Sequence, residues 1–121
     1  AEFYLTAAEA ALELNDMDNA RHYLTELMKK RYLSAIYPTY EAEILSMTQD
    51  ELREEIYNER FRELAFEGHR WFDLRRTTRQ ELTKTYKGET YVLQKDDSRY
   101  TLRIPADAIE ANPGLEEENR E

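Results

Sequence analysis

Glu51, Glu55, Glu59, Glu63 and Glu67 recur every fourth residue. On a helix that spacing sets the carboxylates along one face. A di-iron centre would use such a row together with Glu-x-x-His motifs. Here Phe66 stands three before His69, and Asn19 three before His22, so the pattern fails at both histidines. A glycosidase needs two carboxylates told apart by their surroundings, and nothing singles out two among the 26 acidic residues. Arginines are interleaved with the row instead. Arg62 follows Glu59 by three, Glu63 follows Arg60 by three, and Arg70 follows Glu67 by three. Neighbouring like charges at i,i+4 would cost about 0.2–0.5 kcal/mol per pair without those partners. The row therefore reads as an ion-pair ladder, and the segment holding it as a brace.

Other reactive chemistry is thinly represented. There are no cysteines, which removes thiol nucleophiles, disulfides and thiolate metal sites. Ser34, Ser46 and Ser98 sit in no nucleophile elbow. There is no phosphate loop and no H-E-x-x-H zinc motif. His69 reads as a hydrogen-bonded residue at a helix end. Nine tyrosines offer amphipathic platforms of the kind that face sugars, although packing is their commoner use. The net charge of −9 repels duplex DNA, so no nucleic-acid partner is expected. No catalytic residue, metal ligand or cofactor is expected either.

The elements that position these residues are mainly helical, in a chain of one-domain length. Phe3, Tyr4, Ala7, Ala8, Ala11 and Leu14 recur at three and four, predicting a helix over 2–14. Asn15-Asp16 breaks it. A second helix begins near Met17, capped by Asp16 or Asp18, with Ala20, Tyr23, Leu24, Leu27 and Met28 on its apolar face. Lys29, Lys30 and Arg31 stand at its C-terminal end, where the helix dipole favours cations. The short connection predicts an antiparallel pair. Its spacing fits one TPR-type unit, with Ala20-x3-Leu24 in the second helix, and fits a generic Ala-rich helical pair equally well. Shifting by the repeat length lands on Pro38, Glu41, Ala42 and Glu54, so no array is expected.

Residues 34–47 read as a loop, because Pro38 disfavours helical geometry at Tyr37. Thr48-Gln49-Asp50-Glu51 is a capping box opening a helix that carries Leu52, Ile56, Phe61, Leu64 and Ala65 and runs to Phe66 or Glu67. Gly68 is its kink or C-cap, and a short helix with Trp71, Phe72 and Leu74 follows. Phe61, Leu64, Phe66, Trp71, Phe72 and Leu74 are expected to be buried. Beyond Thr83 the alternation of Tyr91 and Leu93, and of Tyr100, Leu102 and Ile104, predicts a β-hairpin around Lys95-Asp96-Asp97-Ser98 that sets Leu93 against Tyr100. A helical turn over 106–111 ends at Asn112-Pro113-Gly114, and the tail "EEENRE" is expected to fray.

The stretch "ERFRELAFEGHRWFDLRR" resembles the signature of the SusD/RagB family of outer-membrane nutrient-binding lipoproteins. Arg62, Glu63, Leu64, Ala65, Phe66, Glu67, Gly68, Arg70, Trp71, Asp73, Leu74 and Arg76 match it. "LRIPADAIEANPGL" is similar to the way members end, although "EEENRE" departs from their usual close. The resemblance implies a TPR-like helical scaffold with a small C-terminal β-hairpin. It makes residues 1–121 the C-terminal part of a SusD-like domain: a TPR-like pair at 1–33, signature helices at 48–78, and hairpin and tail at 89–121. It implies non-catalytic binding of glycans or other nutrient oligomers at the cell surface, for delivery to a SusC-like TonB-dependent transporter. The lipid anchor in the outer membrane would belong to an N-terminal part outside this sequence. Arg62, Glu63, Glu67, Gly68, Arg70, Trp71 and Asp73 then have a structural role, and no ligand contact is carried over. The alternatives are a TPR-type peptide-binding adaptor, which needs about three units, and a small carboxylate enzyme.

Overall fold

The computed structural model describes the backbone of residues 1–119 and side chains as far as 116. The order is α1 (Glu2–Glu13), α2 (Met17–Met28), α3 (Tyr37–Ser46), α4 (Gln49–Glu63), α5 (His69–Arg76), β1 (Leu82–Tyr86), β2 (Glu89–Leu93) and α6 (Ala106–Ala111), with 3-10 turns at Ser98–Tyr100 and Pro113–Asn119. The fold is mainly α with one small antiparallel hairpin. It divides into two compact units, residues 1–70 and the chain from Trp71 onward.

In the first unit, α1 and α2 pack on each other and on α4. Asn15 takes φ +61° at the break, a conformation Asn tolerates. Asp16 then caps α2, its carboxylate accepting from the Asn19 amide at 3.1 Å. Leu5, Ala8, Leu12, Ala20, Leu24, Met28, Ile44, Leu52 and Ile56 form a closed apolar core. The inward face of α1 is therefore rotated from the expected one. Leu5 and Leu12 are buried, while Phe3 and Leu14 are exposed. Small residues at Ala8 and Ala20 let α1 and α2 approach closely, and that contact selects the face.

The expected loop over 34–47 is instead mostly helix. Pro38 stands in the first turn of α3, where its missing N–H would have no partner in any case. Ile44 of α3 enters the core, and Tyr40 packs against it. The capping box at Thr48 is present in full, with the Thr48 amide donating to Glu51 at 2.8 Å. α4 stops at Glu63, short of Phe66 and Glu67, because Phe66 and Gly68 take φ +67° and +82°, which no α-helix accommodates.

In the second unit the hairpin lies upstream of its expected place. β1 pairs with β2 so that Leu82 faces Leu93 and Tyr86 faces Glu89. The turn is Lys87-Gly88, with φ +50° and +84°, the two-residue geometry that matches strand twist. Leu93 thus pairs with Leu82 and not with Tyr100. Tyr100 sits in a 3-10 turn capped by Asp97, whose carboxylate accepts from the Arg99 amide at 2.9 Å. α6 and its stop at Asn112 stand where expected. Residues 113–119 of the tail are 3-10; its last two residues lie outside the described ones.

Candidate functional site

The glutamate row begins as a helix cap and ends off the helix. Glu51 is engaged by Thr48, and the backbone and hydroxyl hydrogen bonds to it hold its carboxyl below the usual range. Glu55 accepts from the Tyr40 hydroxyl at 2.7 Å and from Arg62 Nη2 at 2.6 Å. Glu59 is buried and accepts from Arg62 Nε at 2.7 Å. Glu63 receives a two-pronged contact from Arg31, Nε at 2.6 Å and Nη2 at 2.8 Å. Glu67 follows the end of α4 and is exposed.

These groups meet beside an open recess of about 250 Å³ lined by Met28, Arg31, Tyr32, Glu59, Arg62 and Glu63. Tyr32 stacks on Tyr40 at 4.6 Å. Three helices supply the cluster because α2 delivers Arg31 just past its end, α3 delivers Tyr40, and α4 presents its polar edge to both. Burial pushes the Glu59 carboxyl up, opposed by Arg62. The Arg31 hydrogen bonds pull Glu63 down. Burial first, and then Glu55, raise the Tyr40 phenol far above its ordinary range, so it stays a donor.

Each carboxylate facing the recess holds a guanidinium: Arg31–Glu63 ties the segment after α2 to α4, whereas Arg62–Glu59 lies within α4. A general base would have to give up its partner first. Among the described residues no group of three or more His, Asp or Glu is placed to hold a metal.

Of the expected ion pairs, Arg62–Glu59 is present. Glu63 pairs with Arg31 in place of Arg60. Arg60 is buried, with Nη1 3.3 Å from the Thr6 hydroxyl and Nε 3.9 Å from Glu9. Arg70 lies 4.6 Å over the ring of Phe61, a cation–π contact, because Glu67 has left the helix. Phe61 and Phe66 are exposed, in contrast to the burial expected of them, and Leu64 is buried. Spacing arguments missed Arg31, Tyr32 and Tyr40, which come from other elements. No local pattern marks them, because the Arg31–Glu63 pair spans 32 positions.

The rest of the signature lies in the second unit. Trp71 is half-buried, not fully enclosed, and stacks on Tyr100 at 5.1 Å and 9°. Tyr100 is fully buried and its hydroxyl donates to the Gln80 carbonyl. Asp73 is buried and accepts from Arg76 Nη2 at 2.8 Å. Leu74 is buried, while Phe72 is exposed.

Residues 1–120 match the model described as the SusD family. The chain is 40% identical over 74 residues to SusD-like protein P25 of Formosa agariphila, a stretch covering 61% of this chain. That stretch is 13% of the curated relative's length. On the match over residues 1–120, which runs from the first helix through the signature to the tail, the chain belongs to the SusD family.

Proposed function

We propose that this chain is the C-terminal part of a surface-exposed outer-membrane lipoprotein. That protein binds glycans or other nutrient oligomers without breaking bonds and passes them to a SusC-like TonB-dependent transporter. Family membership over residues 1–120 is the observation that carries the reading. The pairing of the Glu55, Glu59 and Glu63 carboxylates with Arg31 and Arg62 supports a binding protein over a hydrolase. No helix among the described residues is long and apolar enough to cross a membrane; in this reading the attachment is a lipid anchor in an N-terminal part.

In this reading Arg62, Glu63, Glu67, Gly68, Arg70, Trp71 and Asp73 form an internal brace, and ligand contacts lie on other residues. The test uses the native full-length protein, retrieved from outer membranes through an affinity tag. A co-purifying TonB-dependent barrel, together with retention on a polysaccharide gel without release of sugar, is the expected result. Sugar release that disappears on Glu59→Gln would overturn it, as would a protein recovered with no barrel and in the cytosolic fraction.

A further inference from the structure

The two open faces of the hairpin differ in chemistry. Pairing sets Lys84 opposite Tyr91 and Tyr86 opposite Glu89, so these four side chains share one face. Thr85 and Thr90 pair on the other. Tyr86 is 62% exposed and Tyr91 55%, although packing is the commoner use of a tyrosine ring. The two stand diagonally across the strands, about 7–8 Å apart. Both rings are held without being buried. Lys87 Nζ lies 5.3 Å from the centroid of the Tyr86 ring, a cation–π contact. The Tyr91 hydroxyl donates to Glu89 Oε2 at 2.7 Å, which orients the ring and leaves Glu89 Oε1 to accept another hydrogen bond. Leu82 and Leu93, paired and half-buried, anchor the base of the same face.

The ligand follows from what this face offers. The ring faces carry negative quadrupole potential and attract weakly positive C–H bonds. The Glu89 carboxylate and the Lys84 ammonium beside them are an acceptor and a donor for hydroxyls. A molecule with C–H bonds on its flat side and hydroxyls around its edge is a pyranose ring. The exposed tyrosine surface comes to on the order of 250 Å². A stable protein interface takes about 800 Å² from each partner, so a folded protein has too little to hold. A flat face covers one side of a ligand, whereas an enclosing pocket covers about 70–90% of it. A short sugar would therefore leave it readily. A long chain already bound elsewhere on the same protein is held close to the face at a high effective concentration.

We propose that the Lys84/Tyr86/Glu89/Tyr91 face of the hairpin is an auxiliary platform for an extended polysaccharide chain, additional to the main ligand contacts elsewhere in the protein. This rests on the reading of the protein as a binder of glycans. The platform contributes avidity, and so favours polymers over short oligomers of the same sugar.

The test uses the native full-length protein on affinity gels of amylose, xylan, β-mannan and alginate. Affinity is then measured for the retaining polymer and for a trisaccharide of the same sugar. Tyr86→Ala is compared with Thr85→Ala, which alters the neighbouring strand position on the opposite face. Linked contacts raise affinity by about 10²–10⁴, so Tyr86→Ala should weaken polymer binding at least about tenfold and leave trisaccharide binding within about twofold. Tyr86→Phe keeps the ring and should bind the polymer as the native protein does. Unchanged polymer binding by Tyr86→Ala, or an equal loss with Thr85→Ala, would overturn the platform and leave the proposed function standing. An equal loss for polymer and trisaccharide would overturn its auxiliary role. A native protein retained by none of the gels would overturn both this inference and the glycan reading.

Discussion

The two units of the chain are stabilised in different ways. Among the described residues, the first unit buries apolar side chains from α1, α2, α3 and α4 in one contiguous core. In the second, Leu74 and Tyr100 are the buried hydrophobics. Both strands of its hairpin are almost wholly exposed, and a lone two-stranded hairpin is marginal in water. The first unit thus spreads its stability over many small contributions. The second concentrates it on one aromatic ring, stacked by Trp71, flanked by the Arg79 guanidinium at 5.8 Å and tied through its hydroxyl to Gln80. Before Gly68 the signature residues Arg62 and Glu63 stand in ion pairs, and after it Trp71 stacks on Tyr100 while Asp73 pairs with Arg76.

The largest effect is therefore expected at Tyr100. Tyr100→Ala should cost about 3–5 kcal/mol in the second unit, the range for a fully buried aromatic. Amide exchange of β1 and β2 should rise to the rate of open chain. Hairpin amides that stay protected would mean that the strands hold themselves. Leu24→Ala comes next, at about 2–4 kcal/mol, read from the amides of α1 and α2. Its neighbours in a continuous core can relax toward the gap, so exchange should increase without reaching the open-chain rate. If it does reach that rate, the first unit is as concentrated as the second, and the contrast fails.

Arg62→Ala tests the ionic contribution within the first unit. It strands Glu59, a buried carboxylate, without its Arg62 partner. Breaking a buried pair costs about 3–5 kcal/mol, and the half-exposed arginine lowers that to about 2. The sign with pH follows from Glu59, whose folded carboxyl is raised by burial. A raised carboxyl favours the folded state below its unfolded value of about 4.3 and loses that contribution as pH rises through the folded one. Loss of Arg62 raises it further, so the destabilisation should be larger at pH 7.5 than at pH 5. Equal melting shifts at the two values would place Glu59 in contact with water.

Much of this architecture was legible because its causes are local. The capping box at Thr48, the Asn15 break, the Asp16 cap and the antiparallel α1–α2 pair all follow from residues within a turn of one another. What was hidden depends on distance or on competing local rules. Pro38 is unfavourable for the residue before it but well suited to a first helical turn, and burial of Ile44 settles the matter for helix. Tyr91 and Leu93 alternate as a strand should, yet their partner is Leu82–Tyr86, set by the Lys87-Gly88 turn. The apolar face of α1 was misplaced because the helix has two such faces, and periodicity alone does not say which is covered. In the recess, Glu59–Arg62 was readable from a spacing of three, whereas Arg31 and Tyr40 were brought in by tertiary packing of α2 and α3 on α4.

The smallest effect belongs to Glu63→Gln, and it separates a surface clamp from a buried one. Arg31 holds the Glu63 carboxyl below its usual range. A depressed carboxyl contributes stability that is present above its unfolded value of about 4.3 and is lost as pH falls through the folded one. The native protein should therefore weaken on acidification through that window, and Glu63→Gln should show a shallower loss there. At neutral pH the variant should melt only slightly below the native protein, because Arg31 is half in solvent and water screens the pair. Added salt should reduce even that difference, while leaving the larger deficit of Arg62→Ala nearly intact, since buried charges are screened much less. If salt instead erases both deficits alike, Glu59 and Glu63 lie in equivalent surroundings, and the ladder is one solvated edge from end to end.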